Sequence, residues 1–191
     1  MAPCHLMVNG KKNMKIITGK QNSGKSLRAE ELAVSYGKPL FYLATMKIMD
    51  EEGRRRVEKH RKQREGKGFI TIECEYGIRR ALEAMGDPAG ATVLLECVAN
   101  LVGNELYDNP DRTWSQDPMK ADPDDFVRVI TEDIRYLDDH VDNLIVVTSE
   151  YEADGSADAA TRLYIDLLNR VNKTLSEDTG EDTGTVLLSS S

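Results

Sequence analysis

The sequence predicts an α/β fold, a mostly parallel sheet flanked by helices on both faces, built around a phosphate-binding loop (P-loop). Three observations carry this. Short apolar runs alternate with helical stretches along the 191 residues. The segment GKQNSGKS, Gly19 to Ser26, joins one such run to a helix and satisfies G-x-x-x-x-G-K-[ST] in full. The run Thr92-Val-Leu-Leu-Glu-Cys97 is nearly all apolar, as a strand covered on both faces should be.

The elements follow in order. Met14–Thr18 reads as the first strand and Gly24–Tyr36 as the helix after the loop. Further strands are expected at Leu40–Ala44, Phe69–Cys74, Thr92–Cys97, Leu144–Thr148 and Thr185–Leu188, where β-branched or aromatic residues cluster between turn signals. Helices are expected near Asp50–Arg64, Tyr76–Met85, Val98–Tyr107, Asp124–His140 and Ala157–Ser176. The proline- and aspartate-rich stretch from Asn109 to Asp125 reads as a surface excursion inside one domain. EDTGEDTG, residues 177–184, reads as an acidic loop before the last strand. Residues 1–13 form a polar leader, and 14–191 one P-loop nucleotide-binding domain.

The net charge of -8 argues against nucleic acid as a bulk partner. No apolar run approaches the roughly 20 residues of a membrane span, and the N-terminus lacks the apolar core of a secretory signal. The cysteines are Cys4, Cys74 and Cys97. Their number is odd and their spacing fits no metal motif, so reduced thiols in a cytoplasmic protein are expected, with Cys74 and Cys97 as small buried residues.

Each residue type in the loop has a physical reason. Gly19 and Gly24 let the backbone curl, so that the N–H groups of Lys20, Gln21, Asn22 and Ser23 point inward at a phosphate. The helix that begins near Gly24 adds unpaired N–H groups and the positive end of its dipole. Lys25 brings a cation to the β- and γ-phosphates, and the Ser26 hydroxyl can ligate Mg2+. The ligand class is a nucleoside triphosphate. Such a site also needs an acid at the end of a neighbouring strand. Glu96 ends the most apolar strand and is the first candidate, and Glu150 ends Leu144–Thr148 in the same way.

EEGRRRVEKHRKQREGKG, residues 51–68, is strongly basic in an acidic chain. At helical spacing Arg56, His60 and Arg64 share one face. Three readings stand open for it. One is a solvated basic helix. Another is a nucleic-acid patch, which the net charge and the absence of interleaved aromatics disfavour. The last is a phosphate site in which nearby cations hold the histidine below its usual pKa of about 6.5, leaving a ring nitrogen free to attack phosphorus.

These pieces resemble the bifunctional adenosylcobinamide kinase / adenosylcobinamide-phosphate guanylyltransferases of cobalamin biosynthesis. The resemblance runs from about Lys15 to Leu188 through ITGKQNSGKS, FYLATMKIMDEEGRRRVEKHR, LLECVANLVGNELY, VVTSE and TRLYIDLLNRVNKTL. It implies a RecA-like three-layer P-loop fold and a homo-oligomer, often a trimer. It also implies two reactions on small molecules. One is phosphorylation of the aminopropanol hydroxyl of adenosylcobinamide by ATP or GTP. The other is transfer of GMP from GTP, through a guanylyl-histidine, to adenosylcobinamide phosphate. That histidine falls on His60, the nucleotide-holding arginines on Arg56 and Arg64, and the strand-end acid on Glu96. The chain departs from the family pattern at Lys20, at Val98-Ala99-Asn100 and in the turn YEADGSADAAT, residues 151–161. The altered turn keeps a second reading open: a diverged P-loop NTP-binding protein, a switch or a kinase alone, without guanylyltransfer.

Overall fold

The computed structural model describes residues 14–20, 22–37 and 39–179, with the backbone of 185–188. The expected leader, Gln21 and Cys4 lie outside the described residues. The strands are β1 (Lys15–Gly19), β2 (Leu40–Ala44), β3 (Phe69–Glu73), β4 (Thr92–Glu96), β5 (Asn143–Val147) and β6 (Thr185–Leu188). The helices are α1 (Lys25–Tyr36), α2 (Glu51–Arg64), α3 (Ala81–Met85), α4 (Val98–Tyr107), α5 (Pro123–Asp138) and α6 (Ala159–Thr179). The strands form one sheet in the order β3-β2-β4-β5-β1-β6, and every pairing is parallel. All carboxyl ends therefore meet along one edge. Each lies where the sequence reading expects it, within one residue at either end.

Alternation along the strands sends side chains to two faces. Ile16, Phe41, Leu43, Val93, Leu95 and Val146 pack under α3, α4, α5 and α6. Ile17, Leu40, Tyr42, Leu94, Ile145 and Val147 pack under α1 through Ala29 and Ala33. The result is a three-layer α/β fold. In β4 the residues Thr92 to Leu95 are buried, as their run of apolar character requires, while β3 at the sheet edge is half-exposed. The segment read as one helix at Tyr76–Met85 begins instead as a 3-10 turn at Ile78–Arg80, because Gly77 adopts a left-handed conformation (φ 62°) that no α-helix includes.

The proline-rich excursion is pinned down. Trp114 is buried 5.2 Å from the Phe126 ring, and its indole N–H donates to the Glu105 carbonyl at 2.9 Å. Arg112 bridges the buried carboxylates of Glu105 (2.9 Å) and Asp133 (2.9 Å).

α2 is unlike the others. Only Gly53 and Arg64 in it are buried, so apolar packing contributes little to its stability. Asp50 caps it, accepting from the Gly53 N–H at 2.7 Å. Glu51 and Glu52 sit in its first turn and Arg61, Lys62 and Arg64 in its last, both favourable to the helix dipole.

Candidate functional site

The carboxyl edge of the sheet opens into a cavity of about 670 Å³ between α1, α2 and the ends of β2, β3 and β4. Asn22, Ser23, Gly24, Lys25 and Ser26 line it from one side, Arg56, His60 and Arg64 from the other, and Glu96 from the floor.

The loop geometry follows from its residues. Gly24 caps α1 in the left-handed region (φ 84°), with no side chain capping the helix. A Cβ there would meet nothing within 4 Å, so the backbone angle and not space requires glycine. The first N–H groups of α1 thus lack a side-chain acceptor, an arrangement suited to an anion. Lys25 is buried and donates to the Lys20 carbonyl at 3.0 Å, folded back within the loop. Lys20 itself is exposed, and neither it nor Gly19 is among the lining residues.

Ser26 donates its hydroxyl to Glu96 Oε1 at 2.7 Å. The other Glu96 oxygen is buried without a partner. Burial pushes the Glu96 carboxyl up to about 7, against the opposing pull of the Ser26 hydrogen bond and the Lys25 charge. A serine hydroxyl beside an unmet carboxylate oxygen is a hard-oxygen donor pair, which fits Mg2+. Mg2+ typically takes few protein ligands alongside nucleotide phosphates, so a pair suffices. Glu150, the other carboxylate singled out by position, is exposed, accepts from the Thr18 hydroxyl at 3.2 Å and is not among the lining residues.

Arg64 is the anchor of the basic face. Its guanidinium carbon lies 3.4 Å from the centroid of the buried Tyr42 ring, a cation–π stack, and its Nη1 is buried without a partner. One turn earlier His60 is half-buried, with Nδ1 enclosed and unpartnered. Its pKa is lowered by burial first, then by the Arg64 charge, with Lys59 and Arg56 adding and Glu30 opposing. Cations were expected to neutralise this imidazole, and desolvation is the larger cause. Among the described residues the buried side-chain atoms without partners are Ser23 Oγ, His60 Nδ1, Arg64 Nη1 and Glu96 Oε2. All four belong to residues lining this one cavity. Buried polar atoms are ordinarily paired, because leaving one unpaired costs about 1–3 kcal/mol. Their concentration here marks a ligand site.

The sequence reading missed the groups that hold the walls. Thr45, fully buried, accepts from the Cys97 N–H and donates to the Cys97 carbonyl, both at 2.8 Å, locking the ends of β2 and β4 together. Asn104 donates to the carbonyls of Thr45 (2.7 Å) and Glu75 (2.9 Å). Glu30, with no exposure, accepts from Gln63 (3.1 Å) and Lys67 (2.6 Å) across the α1–α2 gap. A charged residue flanked by the buried alanines at 29 and 33 was the available signal for Glu30. Cys97 and Cys74 pack against the core but are only partly buried, because each sits just past a strand end where the layers open.

The family model for cobinamide kinase / cobinamide phosphate guanyltransferase (CobU) matches residues 15–187. The bifunctional adenosylcobalamin biosynthesis protein CobU of Escherichia coli is 35% identical over 112 residues, 56% of this chain and 60% of that protein. CobU of Salmonella typhimurium is 31% identical over 121 residues, 61% of this chain and 65% of that protein. CobP of Pseudomonas aeruginosa is 34% identical over 98 residues, 51% of this chain and 56% of that protein. The matched segments span less than two thirds of each relative. The chain belongs to the cobinamide kinase / cobinamide phosphate guanyltransferase family.

Proposed function

We propose that this member of the cobinamide kinase / cobinamide phosphate guanyltransferase family phosphorylates adenosylcobinamide. We propose that it also transfers GMP from GTP to adenosylcobinamide phosphate through a guanylyl intermediate on His60. The observation that carries the reading is the placement of four partnerless buried polar atoms, His60 Nδ1 among them, on the walls of the cavity that begins at the P-loop.

In this reading residues 19–26 hold the triphosphate through backbone N–H groups, and Lys25 leaves the Lys20 carbonyl to pair with phosphate oxygens. Mg2+, held through Ser26 and Glu96, would supply charge neutralisation on the triphosphate. Arg56 and Arg64 neutralise the remaining charge from the opposite wall, with Arg64 fixed in place by Tyr42. His60 is kept unprotonated at neutral pH by its surroundings. Its ring nitrogen attacks the α-phosphorus, the N–P bond forms, the bond from α-phosphorus to the bridging oxygen breaks, and pyrophosphate leaves with that electron pair. A phosphate oxygen of the acceptor then attacks the same phosphorus, and the N–P bond breaks to return free histidine. In the kinase reaction the acceptor hydroxyl attacks the γ-phosphorus of a triphosphate held in the same loop: the new O–P bond forms, the bond from the γ-phosphorus to the β–γ bridging oxygen breaks, the nucleoside diphosphate leaves with that electron pair, and the hydroxyl proton passes to solvent.

Residues 14–191 as one nucleotide-binding domain, a cytoplasmic location and a trimer belong to the same proposal. Among the described residues no helix is long and apolar enough to cross a membrane. Family membership supports the transferase over a nucleotide switch, since a switch has no use for an enclosed, neutral histidine facing the phosphate loop. The test is acceptor dependence with Mg-GTP. Without corrinoid the protein should release about one pyrophosphate per subunit and stop, and adenosylcobinamide phosphate should convert that burst into turnover. Steady conversion of GTP to GDP without a corrinoid would overturn the reading.

A further inference from the structure

α2 carries the histidine yet has almost no apolar grip on the protein, burying only Gly53 and Arg64. What ties it down is polar. Near its C-terminal end it meets α1 through Glu30, a carboxylate with no solvent exposure that accepts from Gln63 Nε2 at 3.1 Å and from Lys67 Nζ at 2.6 Å. Gln63 follows His60 by three residues, and Lys67 lies just past the helix in the turn to β3. On the other side, Glu30 belongs to the helix that starts at Lys25 and Ser26, a little over one turn away. One buried charge therefore links the wall that carries the phosphate loop to the wall that carries the histidine. A fully buried carboxylate is costly unless it is paired and hydrogen-bonded, and here both its oxygens are engaged by the neighbouring segment. Other ties at this end are the stack of Arg64 on Tyr42 and, among the described residues, the exposed ion pair of Arg61 with Glu73.

We infer that Glu30 is the positioning residue that docks the His60 helix on the P-loop helix, setting the reach from the histidine to the bound nucleotide. The inference rests on the proposed guanylyl transfer for its chemistry, and on the Glu30 contacts alone for the docking. The charges acting on His60 are Arg64, Lys59 and Arg56 of its own helix and Glu30 from α1. Glu30 opposes the three cations, so its charge bears on the histidine as well as on the helix.

Two variants test this, Glu30→Gln and Lys67→Met, each against wild type. Deuterium exchange of residues 51–64 reads the docking without any reaction. Both variants should exchange there at least 10-fold faster, with GTP affinity within about 2-fold of wild type. With Mg-GTP both should form the guanylyl adduct at least 10-fold more slowly. In Glu30→Gln the pH midpoint of adduct formation should also fall, since loss of the opposing anion leaves the imidazole less basic. Lys67→Met leaves the Glu30 side chain in place, and its exchange and its rate are the readouts. A role in folding alone would weaken GTP binding together with the rate and leave the Glu30→Gln midpoint unmoved, and that result overturns the inference. So does unchanged exchange in α2. If Glu30→Gln does not fold, Lys67→Met still decides through its exchange and its rate. Absence of adduct in wild type refutes the guanylyl reading and leaves the exchange result to decide the docking.

Discussion

Neutralising Glu96 should make the ligand-free protein more stable in mild alkali while weakening its hold on Mg-nucleotide. Its carboxyl is pushed from an ordinary value of 4.5 to about 7, chiefly by burial, and one of its oxygens has no partner. A carboxyl whose folded pKa lies above its unfolded value binds its proton more tightly when folded. The stability this contributes is fully present below the unfolded pKa and is lost as pH rises through the folded one. At about 1.4 kcal/mol per pKa unit, the loss between pH 5 and pH 8 is roughly 2–3 kcal/mol. For a chain of this size that corresponds to roughly 5–10 °C in Tm. In Glu96→Gln the amide oxygen can still accept from Ser26, but there is nothing to ionise. Thermal melts of both proteins from pH 5 to pH 8, without nucleotide or Mg2+, isolate the effect. Other titrating groups, His60 among them, are common to both, so the difference between the two curves is the Glu96 contribution. The gap should shift in favour of the glutamine variant by roughly 5–10 °C from pH 5 to pH 8. Parallel curves would refute the claim that a buried charge is held in strain at the end of β4.

Two further outcomes follow from the same geometry. Because burial pushes the Glu96 carboxyl up to about 7, binding of Mg-GTP there should release a fraction of a proton per subunit near neutral pH, visible as a dependence of the calorimetric enthalpy on the ionisation enthalpy of the buffer; no buffer dependence would mean that Glu96 does not meet the cation. Thr45→Val, close in shape, leaves the Cys97 N–H and carbonyl without their 2.8 Å partners and should cost about 1–3 kcal/mol, read as a fall of roughly 3–10 °C in Tm.

The elements that could be read from the sequence are those set by local pattern. The strand–loop–helix of the P-loop, the apolar β4 ending in Glu96, and the face shared by Arg56, His60 and Arg64 each occupy one contiguous stretch. Glu96 stood out because a charge terminates an otherwise buried run, and the structure puts it against Ser26, 70 positions away in sequence. Contacts with no local signature stayed hidden. The stack of Arg64 on Tyr42 needs β2 to lie beneath the end of α2, and Thr45 meets Cys97 across 52 positions because β2 and β4 are sheet neighbours. Glu150 shows the limit of that signal: its position past a strand matches that of Glu96, but its carboxylate is exposed and accepts from Thr18. Strand-end position nominates a carboxylate, and the direction of the chain beyond the strand decides whether it enters the site.

The proposed transfer of GMP through His60 is tested most directly by intact-mass measurement after incubation with Mg-GTP, on wild type and His60→Ala. One GMP-sized adduct per subunit is expected in wild type, lost on acid treatment and absent from the variant, with GTP still bound by both. Tight binding of GTP without an adduct in wild type, or an adduct that survives in His60→Ala, would contradict it.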